Sequence, residues 1–111
     1  MTTMAEQVER LFIETLRPGA VIDIETRSRL YRIEYVEGDE VLISGNPALF
    51  ADRSKIQLQG STSGRGVMKR GFIGCGMRLI FCKPEEGLSV TTSEILSIRI
   101  NSPGYVESLA S

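Results

Sequence analysis

Histidine and tryptophan are both absent from the chain. The side chain most used for general acid–base work near neutral pH is therefore missing. What remains for chemistry is two cysteines, some closely spaced carboxylates, a glycine-rich loop and a run of cations. Cys75 and Cys82 stand an odd number of residues apart, which on one regular strand puts them on opposite faces, so a disulfide is not expected. Neither has a histidine to take its proton, and Arg78 points away from its strand neighbours. Both read as reduced, partly buried side chains that behave as small apolar groups. A zinc site needs more ligands than two cysteines supply, so no metal and no cofactor are expected. Asp23, Glu25 and Glu34 fall on one face of an alternating segment, where a carboxylate pair can share acid and base roles if its surroundings split the two pKa values. Arg29 and Arg32 lie among them, and a solvated ion-pair face is the reading taken. No catalytic constellation emerges, and the chain is read as non-enzymatic.

The segment 60–66 (Gly60, Ser61, Thr62, Ser63, Gly64, Arg65, Gly66), followed by Lys69 and Arg70, offers glycine amides and cations to an anion. It fits neither standard phosphate-loop spacing, since no glycine precedes a Lys-Ser or Lys-Thr pair and no Gly-x-Gly-x-x-Gly joins a strand to a helix. It reads as a mobile hairpin loop. Arg53, Lys55, Arg65, Lys69 and Arg70 nevertheless crowd into one third of the chain. If that stretch shares a surface, they are the candidate contacts to nucleic acid or another anion. Of the aromatics that could stack on bases, Phe50, Phe72 and Tyr105 are free of core duty. The run Gly76-Met77-Arg78-Leu79 is similar to the end of the Asp-x-Ser-x-x-Gly motif of PilZ domains, which bind a cyclic dinucleotide. Gly71 and Ile73 stand at the Asp and Ser positions, and the upstream Arg-x-x-x-Arg segment is absent, so the ligand contacts do not carry over.

The elements that must position these residues are short. Met77 to Cys82 reads as a strand apolar on both faces, with Met77, Leu79 and Phe81 one way and Ile80 and Cys82 the other. Such a strand needs cover above and below. It is entered through Gly71, Gly74 and Gly76, which mark a bend or a close backbone approach. Residues 20–26 and 29–36 alternate, and a two-residue turn at Arg27-Ser28 sets Ile24 opposite Tyr31, Ile22 opposite Ile33, Ala20 opposite Tyr35 and Asp23 opposite Arg32. A turn at Glu37 to Glu40 leads to a strand at Val41 to Ile43, stopped by Gly45-Asn46-Pro47. Ala48 to Phe50 reads as a short apolar plug. Strands follow at Ser54 to Gly60, with Ile56 and Leu58 inward, and at Leu88 to Val90. After a corner at Thr91 to Glu94 comes Ile95 to Ile100, with Leu96, Ile98 and Ile100 inward. Ahead of all this, Met4, Val8, Leu11, Phe12 and Leu16 recur at helical spacing behind a Thr3–Glu6 capping box. They predict an amphipathic helix over 3–16 that covers the double-faced strand or the open end of a barrel, with a second subunit as the alternative lid.

The expected architecture is thus mainly β: a small antiparallel β-barrel of SH3-like type, about six strands, over 20–100. The N-terminal helix packs on it, and residues 101–111 form a tail. With 111 residues, 41% hydrophobic and 24% charged, one ordinary globular domain spanning 1–111 is expected. A net charge of −1 calls for neither nucleic acid nor an anionic membrane. No apolar run reaches membrane-spanning length and the N-terminus does not resemble a signal peptide, so the expected location is cytoplasmic. The functional expectation is an interaction or assembly module, joined to a protein partner or to copies of itself. Nucleic-acid binding through 53–70 is the alternative, and small-ligand binding comes third.

Overall fold

Apolar residues at every second position, separated by turn residues, make strands. The computed structural model, which describes residues 5–45, 53–63 and 67–101, has ten of them. They are β1 (Ala5–Val8), β2 (Arg10–Phe12), β3 (Val21–Thr26), β4 (Leu30–Glu37), β5 (Glu40–Ser44), β6 (Ser54–Thr62), β7 (Met68–Arg70), β8 (Phe72–Gly74), β9 (Arg78–Lys83) and β10 (Leu88–Asn101). Six of these close a ring by antiparallel pairing, in the order β3, β4, β5, β6, β9, β10 and back to β3. Its interior is packed with Ile22, Ile24, Ile33, Ile43, Leu58 and Phe81, all fully buried, among others. Tyr31 meets Phe81 edge-on with ring centroids 5.9 Å apart.

The first hairpin has the register that its pattern implies. Ile22 faces Ile33, Ile24 faces Tyr31, and Asp23 faces Arg32. Arg27 and Ser28 form the turn, closed by a hydrogen bond of 2.8 Å from the Thr26 amide to the Arg29 carbonyl. The turn at 37–40 also stands where expected, with Glu37 paired to Glu40. The apolar plug expected at Ala48 to Phe50 lies outside the described residues.

Four expectations are corrected. No helix is found among the described residues, and the described part of 3–16 is instead β1, β2 and a 3-10 turn at Ile13–Thr15. The reason lies in β10, which bends away from β9 near Glu94 and leaves one edge of its second half open. β1 fills that edge, from Ala5 opposite Asn101 to Val8 opposite Ile98. A helix there would leave those ladder groups without partners. The segment 88–101 is one continuous bent strand rather than two strands and a corner. Its register shifts between Thr91 and Glu94 and again between Ile95 and Ser97. The bend is filled by Thr92, whose buried hydroxyl accepts the Leu79 amide at 3.0 Å. The second bulge breaks the alternation: Ile95 and Ile98 are buried, and Leu96, expected inward, is turned out and 48% exposed. Ser61 and Thr62, expected in a loop, are buried residues at the end of β6.

The double-faced strand is β9. Leu79 and Phe81 are fully buried in the ring. Ile80 and Cys82 are half-buried on its outside, where neighbouring strands flank them and no helix among the described residues covers them. The glycines before it each have a use. Gly71 and Gly76 take positive φ, 75° and 85°, at the two ends of β8, and Gly74 lies under a side chain considered below.

Candidate functional site: an aromatic and basic face

Among the described residues β2 and β8 pair only with each other, as a separate two-stranded sheet. Arg10 faces Gly74, Leu11 faces Ile73 and Phe12 faces Phe72. Alternation then divides the side chains. Leu11 and Ile73 are buried and join the core of the ring, so this small sheet closes the mouth beside Ala20 and the Gly38 turn. Phe12, Phe72 and Arg10 share the other side. Phe12 is 51% exposed, and the two rings lie 5.1 Å apart at 58°. Such a cross-strand pair contributes about 0.5–1.5 kcal/mol, but half of Phe12 stays in water.

The face is fixed from beneath. The Ile13 amide donates to the Gly71 carbonyl at 2.8 Å, and the Cys75 amide to the Glu9 carbonyl at 2.9 Å. The buried Ser61 hydroxyl donates to the Phe72 carbonyl at 2.6 Å. Gly74 makes room for the Phe72 ring: a Cβ there would stand 3.1 Å from Phe72 Cε2 and 3.1 Å from Met77 Sδ. From β7, Lys69 Nζ reaches to 5.5 Å from the centre of the Phe72 ring, a cation–π contact.

Of the five basic residues picked out in the sequence, the four that are described do not gather into one patch. Arg53 is ion-paired with Glu34 at 2.7 Å, and Lys55 with Glu40 at 3.2 Å. Lys69 and Arg70 stand opposite Ser61 and Gly60, well down β6 from Lys55. Six residues along a strand is about 20 Å. Lys69 joins the aromatic face, whereas Arg70 lines a shallow cleft with Glu14 and Asp39. Arg65 lies outside the described residues. Neither Arg10 nor Lys69 makes an ion pair among the described residues. Phe72 was legible in the sequence as a free aromatic, but Phe12 and Arg10 were not, because the helical reading buried the first and made the second a solvent residue.

The other candidate chemistry is engaged elsewhere. Asp23 receives two hydrogen bonds from Arg32, at 2.8 and 3.1 Å, and one from Asn101 at 3.2 Å. This bidentate bond and the charge of Asp23 push the Arg32 pKa up. Glu25 accepts a hydrogen bond from Ser97 at 3.2 Å. Both cysteines are free thiols. Burial, with the nearby charge of Glu9, pushes the Cys75 thiol above its ordinary range, the opposite of what a nucleophile needs. No group of three or more potential ligands is placed to hold a metal ion among the described residues. Nor is any helix there long and apolar enough to cross a membrane. A cleft of about 330 Å³ beside the mouth has an apolar floor of Leu11, Leu16, Ala20 and Ile100, with Glu6 and Arg17 at its rim.

Comparison of the chain with protein-family models, with curated proteins and with solved structures gives no match.

Proposed function

We propose that this protein is a non-enzymatic binding module, a small SH3-like barrel that presents the outer face of β2 and β8 to a separate partner carrying negative charge. The observation that carries this reading is the Phe12–Phe72 pair, in which Phe12 is half exposed, on a sheet whose other side is buried in the core. An apolar contact surface kept in water on a rigid support suits recognition. Enzymatic chemistry lacks support, since the carboxylates on the first hairpin are held in ion pairs and hydrogen bonds and the Cys75 thiol is held protonated. The charge of the face argues for a different molecule as partner. A two-fold contact centred on this face would bring the positive charges of Arg10 and Lys69 close to those of the second copy, which is repulsive. Self-association would then use the open strand edges of β1 or β7 instead.

The test is amide chemical-shift mapping with three anionic probes: polyglutamate, a mixed-sequence single-stranded oligonucleotide and inorganic polyphosphate. At least one should move the signals of 10–12 and 69–74 as a block. Three probes that leave this block unmoved overturn the reading.

A further inference from the structure

The order of groups across this face has a chemical counterpart. Starting at the Gly74 end, Arg10 comes first, then Phe12 two residues along the same strand, then Phe72 directly across from Phe12, then Lys69 over the Phe72 ring. That is cation, ring, ring, cation. The two cations have no carboxylate partner among the described residues, a state they share with Arg17, Arg29, Arg70, Arg78 and Arg99; what sets them apart is their place beside the ring pair. The two rings are tilted 58° to each other, Phe72 lies over Gly74, and the half-exposed Phe12 ring is the one that presents surface to solvent. Flat aromatic faces accept the face of any base, and cations beside them accept phosphates. This pairing is how sequence-tolerant single-strand binders work.

An acidic peptide suits the face less well. Its carboxylates would meet the two cations but would leave the exposed Phe12 ring without a flat partner to stack on. What this face offers is ring surface and charge. Duplex nucleic acid suits it less again, since its bases are stacked on one another and out of reach of the rings.

We infer that the face formed by Arg10, Phe12, Phe72 and Lys69 binds single-stranded nucleic acid, with a base stacked on the exposed Phe12 ring and the flanking phosphates met by Arg10 and Lys69. This rests on the reading of the face as a binding surface, and names its partner. It also moves the nucleic-acid contact away from Arg53 and Lys55, whose charges Glu34 and Glu40 already meet.

Fluorescence anisotropy with a labelled mixed-sequence 12-nucleotide single strand tests it, against an abasic strand of equal length, a duplex and polyglutamate. Stacking of one base is worth roughly 1–3 kcal/mol, or about 5- to 150-fold. The base-bearing strand should therefore bind at least about 5-fold more tightly than the abasic one. Phe12→Ala should lose about 10-fold, and because that ring is half in water the fold should survive, which circular dichroism checks. Lys69→Glu should weaken binding and flatten its salt dependence, and Arg53→Glu should leave both unchanged. Equal binding of the base-bearing and abasic strands overturns the inference. So does a duplex or polyglutamate bound as tightly as the single strand, or full binding retained by Phe12→Ala. If polyglutamate alone moves the face, the binding module stands and its nucleic-acid partner falls. If no probe binds, both fall.

Discussion

Replacing Gly60 with alanine should unhinge the strand on which Lys69 is mounted, and the cost can be worked from geometry. Gly60 sits at the bulge in β6 with φ of 150°, a conformation that costs a residue with a Cβ about 1–3 kcal/mol. A Cβ there would also stand 2.1 Å from the Lys69 carbonyl oxygen and 3.1 Å from Arg70 Cα. Both are backbone atoms of β7, so no side chain can swing aside. The clash is relieved only by moving β7 outward, which weakens the three pairings that hold it: Gly60 with Arg70, Ser61 with Lys69 and Thr62 with Met68. In this ladder the Ser61–Lys69 pair is the hydrogen-bonded one, and at about 1 kcal/mol for each of its roughly two hydrogen bonds the total with the strain reaches about 3–5 kcal/mol. Gly38→Ala is the control. It has positive φ of 59° but nothing within 4 Å of a Cβ, so it carries conformational strain alone, about 1–2 kcal/mol. In urea, with a slope of about 1.5 kcal/mol per molar for a chain of this size, the midpoint should fall by about 2–3 M for Gly60→Ala and about 1 M for Gly38→Ala. Equal shifts would refute the reasoning, because the two sites differ chiefly in the backbone contact.

Two further outcomes follow from particular side chains. Ile95→Ala should cost about 2–4 kcal/mol while Leu96→Ala costs under about 0.5 kcal/mol, since the bulge between Ile95 and Ser97 buries the first and exposes the second; urea unfolding that ranks them the other way would contradict the register of β10. Cys75 should be alkylated by iodoacetamide more slowly at pH 8 than a thiol in a short unstructured peptide, because burial and then Glu9 raise its pKa and so lower its thiolate fraction. The sign of the linked stability is the same: the folded state holds this proton to higher pH than the unfolded chain does, so the contribution is complete below the ordinary thiol pKa and fades as pH rises through the raised one. Site-resolved mass spectrometry showing Cys75 reacting as fast as the peptide would contradict this.

How far the sequence reveals this molecule depends on where two independent signals agree. The first hairpin was legible because period-two alternation and the Asp23–Arg32 charge match select the same register. The inward set of β6 was legible as far as Leu58 and then lost at the bulge, after which Ser61 and Thr62 read as loop residues. β10 hides its continuity for the same reason. Each bulge adds a residue to one strand and resets which positions face the core, so Ile95 and Ile98 are both buried at a spacing that no regular strand has. Alternation is a local signal, whereas a bulge is set by the partner strand's need to bend and close the ring.

The N-terminal segment shows the same competition with a larger consequence. Val8, Leu11, Phe12 and Leu16 do have helical spacing, yet Val8, Phe12, Ile13 and Thr15 are all indifferent helix formers, and a short helix is marginal in water without a docking surface. What the ring offers at this point is an unfilled edge on β10 and an open mouth. A strand satisfies both, with β1 on the edge and β2 across the mouth. The choice decides the site. In a helix Leu11 and Phe12 would lie on one side and be buried together. In a strand they part, with Leu11 in the core and Phe12 in water beside Phe72 and Lys69. The face with which this protein is inferred to bind is therefore a consequence of how the ring is closed, and Phe12 could be placed on it only after the pairing partner of residues 10–12 was known.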